Sequence, residues 1–142
     1  MRGPMRYVAW FAAACFLASW FLTAVPDVPG WMAFRYALAP LWPYGQASAR
    51  GAEEIVPQVA SALTNVVFVI MFVMVSLGKV RRPGLFFRVT IICFVMNLYW
   101  FVQFARDGSL DDLRIGYYVW LAAFALLMWM AWKLMRTRSA PL

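Results

Sequence analysis

The chain has 142 residues, 65% of them hydrophobic, 18% aromatic and only 13% charged, with a net charge of +7 and no histidine. Soluble domains carry about a quarter charged residues, and a chain this short has too little interior to hide so much apolar surface. Lipid is therefore the expected solvent, and the missing histidines remove the commonest general base and metal ligand together.

Four runs free of Lys, Arg, Asp and Glu predict spanning helices at residues 8–25, 59–77, 89–105 and 115–132. Each can cross about 30 Å of hydrocarbon at 1.5 Å per residue, and a charge inside any of them would be expensive. The expected fold is an all-α integral membrane protein, a single domain over residues 1–142, with four transmembrane helices in an antiparallel bundle.

Met1 to Tyr7 makes a short basic lead into the first run. That run is longer than the apolar part of a signal peptide and lacks a small-residue cleavage site, so an uncleaved anchor is expected. Ala9 with Ala13, and Ala14 with Ala18, fall at the helical spacing that lets another helix come close. Residues 26–30, PDVPG, must stop the helix.

The long first loop, residues 26–58, continues with the aromatic stretch Trp31 to Gly45. Trp31, Phe34, Leu38 and Leu41 recur at about one-turn intervals, which predicts a short helix with one apolar stripe, ended by Pro40 and Pro43. Too short to span and too apolar for water, it is expected to lie in the membrane interface or to re-enter over the bundle mouth. Trp31, Phe34, Trp42 and Tyr44 are the candidates for docking a partner, because exposed aromatic patches mark contacts. Gln46 to Glu54 should start a helix that runs through Pro57 into the second span, with Arg50 and Glu54 able to pair at i, i+4.

Within the spans the informative residues are neutral and polar. Ser61, Thr64 and Asn65 cluster near one end of the second, and Thr90, Cys93 and Asn97 share one face of the third. Such groups should face protein rather than lipid. Counted from the outer ends, Asn65 and Asn97 lie roughly 9 and 12 Å deep. The two amides are therefore expected to meet, either as an interhelical hydrogen bond or, with Thr64 and Gln103, as a polar ligand contact. Cys15 and Cys93 both fall inside spans and there is no CxxC, so they are expected to act as small apolar groups.

The turn GKVRRPGLFFR brings Lys79, Arg81, Arg82 and Arg88 together as candidate contacts for anionic lipid. Its Pro83 and Gly84 are expected to set the hairpin between the second and third spans. In the last connection, ARDGSLDDLR, Gly108 should be the pivot and Ser109 the cap of the fourth helix. Glu53, Glu54, Asp107, Asp111 and Asp112 would form an outer acidic rim without the ligand spacing of a metal loop.

Charge placement predicts orientation. The amino terminus, the turn at 78–88 and the carboxyl tail are basic and hold no acid, whereas all six acids lie in the other two connections. By the positive-inside rule both termini are cytoplasmic and the aromatic loop faces out, as expected in a bacterial cytoplasmic (inner) membrane.

Three function classes remain. The first expectation is a non-catalytic accessory or assembly subunit of a larger membrane complex. The second is a small transporter or lipid-binding protein with a polar site between helices two and three. The third is a membrane enzyme using outer-face carboxylates. No cofactor or metal is implied. Membrane lipids, another membrane protein or a second copy of the chain are the expected partners, and nucleic acid is not.

Overall fold

A computed structural model describes residues 3–42 and 52–139. In chain order come α1 (Gly3–Phe21), a hairpin of β1 (Thr23–Val25) and β2 (Val28–Pro29), α2 (Gly30–Ala37), α3 (Ala52–Ser76), α4 (Pro83–Arg106), a 3-10 turn at Leu110–Asp112, and α5 (Ile115–Ser139). Three stretches, Ile55–Ser76, Pro83–Arg106 and Ile115–Thr137, are long and apolar enough to cross a membrane, while Met5–Phe21 is a shorter apolar helix. Residues 8–25 do not form one helix as expected. Thr23–Val25 leaves it to pair antiparallel with Val28–Pro29, through a turn in which Asp27 takes φ 59°. Threonine and valine favour the extended strand, and aspartate is among the few side chains that tolerate left-handed backbone.

The centre of the bundle is α5, which packs along both α1 and α4. Although its middle carries no polar residue, Ala123, Phe124, Leu127, Met130 and Ala131 are all buried, while Tyr118, Ala122 and Trp129 stay exposed. Without a hydrophobic drive between helices, fit decides burial in a membrane. From α1, Ala9, Ala12, Ala13 and Phe16 turn inward while Ala14 and Ala18 stay exposed, so one of the two expected alanine pairs makes the close contact. The two helices run in opposite directions, since Phe16 meets Phe124 while the Gly116 end of α5 abuts Thr23.

Aromatic rings tie the layers together. Phe16 stacks on Phe68 with centroids 4.3 Å apart and planes 11° from parallel, and Phe124 meets both edge-on. Trp120 and Tyr117 continue the column towards the hairpin, each contact adding about 0.5–1.5 kcal/mol beyond the area it buries.

Both helix connections close in the same way. Gly78 takes φ 65°, and its N–H donates to Val75 O while that of Lys79 donates to Met74 O. Gly108, at φ 67°, repeats the pattern as its N–H donates to Ala105 O and that of Ser109 to Phe104 O. This is the Schellman ending, in which a glycine supplies the left-handed residue and the last carbonyls gain partners. Gly78 rather than Gly84 therefore makes the first turn. Pro83 opens α4, where its missing N–H costs nothing. Ser109 does not cap α5: it precedes the 3-10 turn, its hydroxyl reaches back to Phe104 O, and α5 begins only at Ile115. The helix of α3 runs unbroken through Pro57, as expected, while Gln46 to Gly51, its expected start, lie outside the described residues.

Candidate functional site

The aromatic segment folds back over one end of the bundle. Phe34 of α2 stacks on Trp20 of α1 with centroids 5.4 Å apart, and the Gly30 N–H donates to Leu22 O at 3.0 Å. The loop before α5 laces onto the hairpin as the Arg114 N–H donates to Ala24 O at 2.9 Å. Two glycines permit this closeness. A Cβ on Gly116 would lie 2.6 Å from Thr23 O, and one on Gly30 would overlap Ser19 O.

Beneath this roof is a cavity of about 380 Å³. Gly30, Ala33, Phe34 and Ala37 form the roof, with Trp20 and the hairpin beside them. Opposite, Gln58, Ser61 and Asn65 present one polar stripe of α3 at i, i+3 and i+7, while Trp100, Phe104, Tyr117 and Trp120 supply aromatic walls. Among the described residues no charged side chain lines it. The inward stripe of α2 is thus 30/33/34/37 instead of the expected 31/34/38/41, because α2 ends at Ala37 and turns its small residues to the bundle. Trp31 (46%) and Trp42 (74%) stand exposed, Phe34 is half-buried, and Tyr44 lies outside the described residues.

The buried amides do not bond to each other. Asn65 Oδ1 accepts the Trp120 indole N–H at 2.7 Å, and Asn65 Nδ2 donates to Ala62 O at 3.1 Å. Asn97 Oδ1 accepts the hydroxyls of Ser61 at 3.2 Å and Thr64 at 3.0 Å. The Asn97 backbone carbonyl takes the Tyr117 hydroxyl at 2.8 Å, and the same hydroxyl accepts the Phe101 N–H at 3.1 Å. In a regular helix Phe101 N–H bonds Asn97 O, so Tyr117 of α5 contacts the donor and the acceptor of one rung of α4. Asn97 Nδ2 is buried with no partner among the described residues.

The polar cluster therefore links α3, α4 and α5 at the floor of the cavity. Asn65, Asn97 and Thr64 belong to it. Gln103 does not, since its Nε2 donates to the Tyr99 hydroxyl on its own helix. Tyr117 and Trp120 look like membrane-belt residues by position, but their spacing places them on one face of α5. A buried tyrosine or tryptophan usually needs a hydrogen-bond partner, and that was the available clue. The Gln58 amide and the Trp100 indole N–H make no side-chain hydrogen bond among the described residues and line the cavity.

The remaining candidates lie outside the cavity. Asp107, Asp111 and Asp112 are exposed around the 3-10 turn, and Glu53 and Glu54 fall where side chains lie outside the described residues. Among the described residues no group of three or more His, Cys, Asp or Glu is placed to hold a metal ion. Arg50 also lies outside the described residues. Lys79, Arg81, Arg82 and Arg88 are exposed at the opposite end of the bundle. No protein-family model matches the chain, and neither a curated protein nor a solved structure shows significant similarity to it.

Proposed function

We propose that this is a four-span membrane protein that holds a small, uncharged and mostly apolar molecule in the cavity under α2. The cavity itself carries the reading. Its volume, about 380 Å³, falls within the roughly 300–1,000 Å³ of ligand pockets. Aromatic walls without charge suit an apolar body, and the Gln58, Ser61 and Asn65 stripe suits one neutral hydrogen-bonding group.

The fourth span would be α1, whose 19 residues extend about 28 Å at 1.5 Å each, close to the hydrocarbon thickness. The positive-inside rule then puts both termini and the basic turn in the cytoplasm and the cavity in the outer leaflet of a cytoplasmic membrane. To test the ligand reading, the protein is purified in mild detergent and its bound molecules are extracted and identified by mass spectrometry. A stoichiometric neutral species that is lost on Ala33→Trp is expected. Wild-type protein yielding no such species counts against the reading.

One observation favours a second reading, that of an accessory subunit. Trp31 and Trp42 stand exposed beside the roof, where a partner protein could bury them. Native mass measurement would then find a larger stoichiometric partner, and an isolated monodisperse chain would exclude it.

A further inference from the structure

We propose a second site, independent of the cavity, that binds one anionic phospholipid on the α1–α5 face at the end of the bundle away from α2. Tyr7, Val8 and Phe11 of α1, with Leu126 and Trp129 of α5, line a shallow apolar groove. One turn beyond Trp129, the Lys133 ammonium stands 5.6 Å from the Trp129 ring centre and 5.4 Å from that of Trp132. The Arg136 guanidinium lies 4.2 Å over Trp132. Trp129 thus does two things at once: it walls the groove and seats the cation at its mouth.

The ring contacts hold the two cations in place but use none of their N–H donors, which stay available for charge-assisted bonds to phosphate oxygens. Lys133 and Arg136 are exposed and make no ion pair among the described residues, and the same is true of Arg6, immediately before Tyr7. No acidic side chain lies in the turn at 77–82 or in the last turns of α5, so none there competes for the cations among the described residues. From Lys133 to Leu126 the helix rises roughly 10 Å, a length over which an acyl chain lies in the groove while its phosphate sits between Lys133 and Arg136. A zwitterionic lipid fills the same groove but brings its own cation to the shelf, and selectivity follows from that difference.

The test uses the full chain in detergent with equal amounts of phosphatidylglycerol and phosphatidylcholine, reading retained lipid by native mass spectrometry. Wild type should retain phosphatidylglycerol preferentially. Lys133→Gln with Arg136→Gln should lower the ratio about fivefold for each cation removed, while Lys133→Arg keeps it. Trp129→Ala should reduce retention of both lipids, since it opens the groove wall. The pair Arg81→Gln and Arg82→Gln, on the other basic turn, should leave the ratio unchanged. All these side chains lie on the surface, and helix content by circular dichroism confirms each variant is folded. The site is overturned if wild type shows no preference, or if the preference survives loss of Lys133 and Arg136 and instead follows Arg81 and Arg82.

Discussion

Replacing Asn97 by leucine should cost almost nothing, although it removes the acceptor of two hydroxyl groups in the middle of the polar cluster. Thr64 has one proton and a nearer acceptor, Ser61 O at 2.6 Å, so only the Ser61 hydroxyl is stranded. A side-chain bond between membrane helices is worth about 0.6 kcal/mol on average and up to about 1.7. Against that, Asn97 Nδ2 is buried without a partner among the described residues, a burden of about 1–3 kcal/mol that leucine removes. The net change should lie between a loss of about 0.7 kcal/mol and a gain of about 2.4 kcal/mol. Asn65→Leu differs, because both ends of its amide are bonded and the Trp120 indole at 2.7 Å would be left unsatisfied, at about 1–3 kcal/mol. Reversible unfolding in mixed micelles, followed by circular dichroism, compares the two. If Asn97→Leu loses more than about 2 kcal/mol, or more than Asn65→Leu, the Asn97 amide is fully paired and the reasoning fails.

Other perturbations separate the remaining contacts. A double-mutant cycle of Asn65→Ala with Trp120→Phe should return a coupling of about 0.6–1.7 kcal/mol, and zero coupling would deny the bond. Gly116→Ala forces a Cβ to 2.6 Å from Thr23 O, so it should cost about 1–3 kcal/mol and speed proteolysis between the hairpin and α2. Gly84→Ala, with nothing within 4 Å, should be neutral or slightly stabilising in the same unfolding assay, while Gly78→Ala at φ 65° should cost about 1 kcal/mol. Ala9→Leu at the α1–α5 contact should destabilise the bundle, whereas exposed Ala14→Leu should not.

Helix positions and the pivot at Gly108 could be read from the sequence because charges, prolines and glycines mark them directly. The end of α1 could not, since Thr23–Val25 is as apolar as the helix before it and only pairing with Val28–Pro29 distinguishes strand from helix. Depth placed Asn65 and Asn97 within a turn of each other, but depth says nothing about which way a side chain points around its helix. One amide faces α5 and the other faces α3. The cavity was hidden for a related reason: it exists where Gly30, Ala33, Ala37 and Ala62 from separate elements leave room, and a small residue carries no mark of the space beside it.

Occupancy of that cavity is tested most directly by photolabelling the protein in a bilayer with a diazirine-bearing fatty alcohol, a neutral apolar probe, and mapping the modified residues by peptide mass spectrometry. Labels concentrated on Ala33, Ala37, Gln58, Ser61 and Asn65, and abolished by Ala33→Trp, are the expected result. Labels confined to the outward face of α3, at Val66, Val69, Ile70 and Val73, would mean that the probe meets only the lipid-facing surface and that no apolar molecule enters beneath α2.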